Sequence, residues 1–419
     1  MNIGIKAVGI ILVILLVVIS CTQKDNIVGT NGSGEFTPLD ITIDHNYFTE
    51  MYSYEDSCSY NNSNTMIFGN YNGETSYSLL RFTSLPDSFY EIYSVNISLE
   101  IKDRHNFDIV DNTTLKLATI GNIKWYENAT WWTSSDSTDW NTEHFSNADY
   151  TNLLEQHYEI NCVGDSINII FSETTILEDW INDEDNVNSG LVIYSDTDGF
   201  IELYTSEYSI DENPVLTFEY RETVEDTLTI KTIQTCYDCM IYETDNEFEK
   251  WEDELKISNI QPINIFTKFE ILESIFVDIL PPDYVIADDD TALFLQRITI
   301  NRAELVLNNN GANTYPISGS IYLSPYFVIA DTINTDIPEI PLLTNDDIDD
   351  IYISSSTDTL QTEQIKIDIT KVIQYYISGE YDNNGIVIKS LNVNDNFIHT
   401  EFDLEPEIQI TFTPPYYEE

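Results

Sequence analysis

Basic residues are scarce: 17 Lys plus Arg stand against 73 Asp plus Glu in 419 residues, a formal net charge of -56. A phosphate backbone is held by clustered cations, so nucleic acid is excluded as a partner, and adsorption to anionic lipid headgroups is disfavoured on the same ground. Histidine is equally thin. His45, His105, His144, His157 and His399 are scattered, and no HExxH, GxSxG or Cys-His signature organises a metal or a nucleophile. The sequence therefore reads as non-enzymatic. Paired carboxylates for glycoside cleavage have no visible spacing in a chain so rich in Asp and Glu, and a lyase acting on uronates would need cations that are missing. Apolar matter is not lacking: 42% hydrophobic and 12% aromatic residues, with 27 Tyr and 19 Phe, exclude disorder and fill more than one core. At about 100–200 residues per domain the length suggests two or three domains.

The N-terminus carries the most specific local signal. Ile3 to Ser20 (IGIKAVGIILVILLVVIS) has one Lys near its start, a short apolar run and small residues at its exit, which describes a secretory signal peptide rather than a permanent span. The run Val18-Ile19-Ser20-Cys21 resembles a bacterial lipobox. Residues 1–21 are therefore expected to be a lipoprotein signal peptide, cut before a diacylated Cys21. Removal takes Lys6 with it and leaves 16 bases against 73 acids, a net charge of -57. Residues 22–37 read as a flexible tether, since TQKDNIVGTNGSG has no periodicity. The expected location is the bacterial cell envelope, lipid-anchored and surface-exposed, with the membrane engaged through the lipid alone. Thr22 after the lipidated residue, in place of Asp, fits the outer membrane.

Beyond Cys21 only Cys58, Cys162, Cys236 and Cys239 remain. An exported chain can form disulfides, and Cys236 and Cys239 are the candidate pair, with local and domain-crossing pairings both open. Their strand-like flanks speak against a thioredoxin-type site, and no further ligands complete a zinc site.

Elsewhere short runs of β-branched and aromatic residues alternate with polar ones and are broken by Asn, Asp, Gly, Ser or Pro, as in SVNISLEI (94–101), SINIIF (166–171), SGLVIYS (189–195) and PVLTFEY (214–220). The fold class is thus all-β. Thr174 to Ile181 and Ile369 to Ile377 have helical spacing over two turns each. Both are followed by the same events: Asn188-Ser189-Gly190-Leu191-Val192-Ile193, Phe200 and Pro214 to Phe218 after the first, Asn383-Asn384-Gly385-Ile386-Val387-Ile388, Phe397 and Pro406 to Ile410 after the second. Upstream, Val95 to Ile101 matches Ile300 to Leu307. Two tandem β-sandwich domains are expected, 38–221 and 222–419, divided near ETVED (222–226).

Several landmarks of the first copy are similar to the DNRLRE-type domain, a family of jelly-roll-like extracellular modules related to carbohydrate-binding module family 96. Leu79-Leu80-Arg81-Phe82-Thr83-Ser84-Leu85-Pro86 resembles its LLRFDLSSLP signature, and Ile92 to Leu99 its following strand. Trp125-Tyr126-Glu127 with Thr130-Trp131 resembles its W-x-E…TW pair. Trp180 to Ile193 and Pro214 to Tyr220 resemble its later segments. The second copy departs early: Phe276-Val277-Asp278-Ile279-Leu280-Pro281 lacks the Arg, and the W-x-E…TW pair is absent. The resemblance implies a non-catalytic surface module that binds polysaccharide in some relatives, with the diverged second copy as a spacer.

Three sets of residues are candidates for function. Trp132 and Trp140 lie in the polar stretch WTSSDSTDW, and exposed indoles there would stack on sugar rings, whereas Trp125 and Trp131 are expected in the core. Asp183, Asp185 and Asn186, with Glu184 between them, form the acidic turn best suited to calcium, against the plainer reading of a solvated loop. Arg81 is read first as a buried guanidinium answered by a carboxylate, and second as a contact for an acidic sugar. The functional expectation is carbohydrate binding or adhesion at a surface glycan. A structural spacer without a glycan ligand is the alternative, and a polysaccharide-degrading enzyme the third reading.

Overall fold

Period-two alternation becomes strand where it was expected. Val215–Arg221 buries Leu216, Phe218 and Tyr220, and Glu407–Thr413 buries Ile408, Ile410 and Phe412, with polar side chains between them. Successive strand side chains point to opposite faces, so each segment covers a core with one face and meets water with the other.

The computed structural model describes residues 37–55, 63–71, 74–107, 110–121, 123–135, 138–182, 190–243, 250–282, 284, 291–310, 314–315, 321–328, 355–357, 363–390 and 397–415. Cys21, the tether through residue 36, and Asp183, Asp185 and Asn186 lie outside the described residues. In the first half the strands are β1 (Leu39–Ile43), β2 (Phe48–Glu55), β3 (Thr65–Tyr71), β4 (Glu74–Phe82), β5 (Glu91–His105), β6 (Lys116–Ile120), β7 (Thr133–Ser135), β8 (Thr138–Asp139), β9 (Tyr150–Asn152), β10 (Tyr158–Val163) and β11 (Ser166–Phe171). Helix α1 (Thr175–Asn182) precedes β12 (Leu191–Tyr194), β13 (Gly199–Tyr204) and β14 (Val215–Arg221). The second half has β15 (Thr229–Tyr242), β16 (Lys250–Trp251), β17 (Leu255–Ser258), β18 (Ile263–Phe269), helices α2 (Glu273–Val277) and α3 (Thr291–Arg297), β19 (Thr299–Asn308), β20 (Ile321–Phe327), β21 (Ser355–Thr357) and β22 (Gln364–Asp368). Helix α4 (Thr370–Ser378), β23 (Ile386–Ser390), β24 (His399–Phe402) and β25 (Glu407–Thr413) complete it. The fold is all-β and sandwich-like, and the ladders between named strands are antiparallel.

Two lobes emerge from the pairing. In the first, β10, β11, β5 and β14 form one layer and β13, β3, β4, β12, β6 and β9 the other, with the long strands β5 and β15 running from layer to layer. Ile97, Leu99 and Phe218 meet Phe68, Leu80 and Phe82 in its core. The second lobe faces β1-β25-β19-β22 against β16-β2-β18-β23-β20-β21, around Ile43, Leu305, Ile265, Ile388 and Phe412.

The internal repeat is visible as topology. Strands β4 and β12 pair as β18 and β23 do, while β5 lies between β11 and β14 as β19 lies between β22 and β25. Gly190 and Gly385 open the equivalent strands β12 and β23, both at positive φ (81° and 96°). A Cβ at Gly190 would overlap the Leu80 carbonyl oxygen, and one at Gly385 the Phe266 ring, so only glycine lets the backbones approach. One proposed landmark moves. Phe276 and Val277 lie in helix α2, and the counterpart of β4 is β18 rather than the segment from Phe276 to Pro281.

The expected division at residue 221 is corrected in two places. Strands β1 and β2 come from the head of the first repeat but pair with β25 and β18 in the second lobe, Leu39 opposite Phe412 and Ile43 opposite Ile408. Strand β15 comes from the head of the second repeat but pairs with β14 and β4 in the first lobe. Each lobe therefore closes with the leading segment of the other repeat. Composition could not show this, because both segments have the same alternation and either acceptor satisfies their backbone groups. Only the local geometry differs: β15 runs through with an irregularity at Thr235/Tyr237, whereas the equivalent segment breaks at Asp44, whose Oδ1 accepts the Asn46 amide at 2.9 Å.

The lobes meet at an aromatic seam. Tyr315 packs on His105 and Phe200, with ring centroids 4.9 and 4.8 Å apart, and donates to Asp103 Oδ2 at 3.1 Å, while Tyr71 lies 5.3 Å from His399. Beside it burial pushes the Glu202 carboxyl up, and Lys102 Nζ at 2.7 Å opposes that shift.

Because Ile43 is fully buried in the second lobe, Ile43→Ala is expected to cost about 2–5 kcal/mol. Urea unfolding of the variant should show the loss, although the substitution lies far in sequence from the strands it destabilises.

Candidate functional site

The loop between β6 and β9 explains why the tryptophans do not form a platform. Hairpin β7–β8 folds it back over the outer face of the first lobe, where Trp125, Trp131, Trp140 and Phe145 cover Leu79, Ala118, Val192, Cys239 and Ile241. Trp140 is 4% exposed, its Nε1 donates to the Thr130 carbonyl at 2.9 Å, and its ring meets Phe145 at 4.9 Å. The expectation that Trp140 faces a glycan is overturned. The indole takes part in a second apolar layer, and the polar residues around it supply hydrogen bonds to the loop itself: buried Asp149 accepts the amides of Asn141 and Ser146 at 2.9 and 2.8 Å. Trp132 is half-buried, edge-on to His144 at 6.1 Å, so it retains only partial access to solvent. Trp125 and Trp131 are core, as the family landmarks they resemble implied.

The Cys-Tyr-Asp-Cys segment also changes meaning. Cys239 is a free, buried thiol that burial pushes well above its ordinary pKa. Both cysteines lie on β15, where the register shifts between Thr235 and Tyr237. With Cys239 free, the local Cys236–Cys239 bridge gives way to what lies between the two positions. Tyr237 sits opposite Arg81 on β4, Asp238 opposite Leu80, and the two side chains point to opposite faces of the strand.

Arg81 is buried, and its guanidinium lies over the Tyr237 ring at 4.1 Å and 5.4 Å from the rings of Trp125 and Tyr126. A planar, weakly hydrated cation is the group such an aromatic cradle suits. The nearby carboxylate is Glu127: burial and the charge of Glu207 push it up, and Arg81 pulls it back. Thus the plainer reading of Arg81 holds in its burial, with tyrosine and tryptophan faces sharing the role expected of a carboxylate.

Glu207 joins two acids. It acts on Glu127 at one side and contacts the Asp238 carboxyl at the other, where Asp238 Oδ2 accepts the Ser206 amide at 2.9 Å. Desolvation, reinforced by Glu207, pushes Asp238 up to about 7. Asp238 is 3% exposed, while Glu207 is exposed. Two phenol rings flank this acid row at the surface: Tyr126 at 36% exposure, edge-on to Tyr237 at 6.2 Å and 5.3 Å from Lys124 Nζ, and Tyr208 at 49%, stacked on Tyr204 at 4.3 Å. The site thus draws on β4, the segment 124–127, the turn 204–208 and β15. Sequence reasoning reached Arg81, Trp125, Tyr126 and Glu127 as landmarks, but Glu207, Tyr208, Tyr237 and Asp238 carried no signal of their own. Among the described residues no group of three His, Cys, Asp or Glu side chains is arranged to hold a metal ion.

No protein-family model matches the chain, and searches of curated proteins and of solved structures return no match either.

Two outcomes test this geometry. Trp140→Ala is expected to lower stability by about 3–5 kcal/mol in denaturant unfolding, the cost of a large cavity. Asp238 has a folded pKa above its unfolded one, so its contribution is fully present below 3.8 and is lost as pH rises through about 7. Asp238→Asn keeps an acceptor for the Ser206 amide and should gain stability over the wild type at alkaline pH. Urea midpoints measured from acid to alkaline pH should show a flatter profile in the variant.

Proposed function

We propose that the chain is a non-catalytic, glycan-binding lipoprotein of the bacterial cell envelope, held through Cys21, and that its ligand lies on the face formed by Tyr126, Glu127, Glu207 and Tyr208. The observation that carries this reading is the convergence of two exposed tyrosines and two carboxylates from separate segments around Glu207. Aromatic rings shed water against the apolar face of a sugar while carboxylates accept its hydroxyls at the edge. Trp125, Tyr126, Glu127 and Arg81, the residues that resemble the DNRLRE-type landmarks, all belong to or underlie this face. With a net charge of -56 the surface favours a neutral polysaccharide over a polyuronate. Burial of Asp238, the acid held protonated near neutrality, favours binding over hydrolysis, because a general acid must reach the glycosidic oxygen.

The spacer reading finds its support in the second lobe, where no equivalent of Trp125-Tyr126-Glu127 occurs in the sequence and whose strand β1 follows the expected tether in the chain.

A glycan array probed with residues 36–419, with and without calcium, tests the proposal. Tyr126→Ala with Tyr208→Ala should weaken binding roughly tenfold or more, from the loss of about 1.4 kcal/mol or more of ring contact. Equal binding by that variant would move the ligand elsewhere. A folded protein that binds no glycan would leave the spacer reading in its place.

A further inference from the structure

The leading segment of each repeat completes the other lobe. In the second lobe β1 lies beside β25 and β2 beside β18; in the first lobe the two halves of β15 lie beside β14 and β4, the equivalent strands. The chain has thus already exchanged one element between two homologous acceptors.

We propose that residues 39–55 form an exchangeable arm, and that the groove they fill in the second lobe accepts the same arm of a second copy of this chain, linking chains arm to lobe. The recognition is mostly backbone: five register pairs join Leu39–Ile43 to β25, and the ladder from Phe48 to Glu55 joins β18. Side chains fix its depth and phase. Ile41 and Ile43 enter the lobe's core with Leu305 and Phe412, and Tyr52 and Tyr54 join Phe266, Val328 and Val387 on the opposite face of the second sheet. A second copy brings an identical arm with identical bonds, so exchange sacrifices no contact in the groove and is decided by concentration and by the connection through residues 56–64. The first lobe differs: β15 follows β14 directly in the chain, joined by residues 222–228, which leaves the N-terminal arm as the segment free to change hosts.

Register supplies the test. Thr42 and Gln409 are cross-strand partners on the solvent side of β1 and β25. In the full chain carrying both Thr42→Cys and Gln409→Cys, oxidation in dilute solution should give a cross-link within one chain, identified as a 42–409 peptide. When chains carrying only Thr42→Cys and chains carrying only Gln409→Cys are unfolded together and refolded concentrated, a disulfide-linked species of twice the mass with the same 42–409 peptide is expected, and none from wild type treated alike. Cross-links confined to single chains at every concentration would overturn the exchange. Failure of the double variant to cross-link at all would overturn it as well, since the arm would then not occupy the groove.

Discussion

The structure depends on closing two lobes whose sheets lack an edge strand of their own. An unpaired edge leaves a row of backbone donors and acceptors, and in a sandwich it also leaves one end of the core open to water. Here β25 and β18 are satisfied by β1 and β2, and β14 and β4 by β15. Because each closing segment comes from the other repeat, neither half of the sequence contains a complete lobe. The aromatic seam of Tyr71, His105, Phe200, Tyr315 and His399 then joins lobes that are already tied through their strands.

The same loan assembles the candidate site. Tyr237 and Asp238 reach the first lobe only because β15 docks along β4, and without Tyr237 the Arg81 guanidinium would lose its closest aromatic face. In a chain with so few cations, burying one against three rings is a costly use of charge unless it fixes something. What it fixes is the loop that carries Tyr126 and Glu127, so the cation lies beneath the acids and tyrosines rather than among them.

Acidity has two different expressions. Most carboxylates of the described residues are not buried, and charge of one sign at the surface opposes self-association. Among the buried carboxylates, Asp238 and Glu202 are both pushed upward. Glu202 has Lys102 to oppose that shift, whereas Asp238 meets another acid, Glu207, and the pair holds a proton in the range where most carboxyls have lost theirs.

The sequence by itself determined the all-β class, the positions of helices α1 and α4, and the repeat marked by Gly190 and Gly385, because alternation, helical spacing and glycine at a close backbone approach are local properties. It also marked Arg81 and Trp125-Tyr126-Glu127, which lie within two short segments. Tertiary structure alone decided that Trp140 turns inward, since a hairpin that folds a polar loop onto a sheet has no periodicity to announce it. It alone buried Cys239 as a free thiol on β15, and it alone brought Glu207 and Tyr208 to Glu127. Above all it decided which lobe each leading segment completes: two acceptors offer the same ladder and the same alternating core, so the choice rests on long-range packing that no stretch of sequence contains.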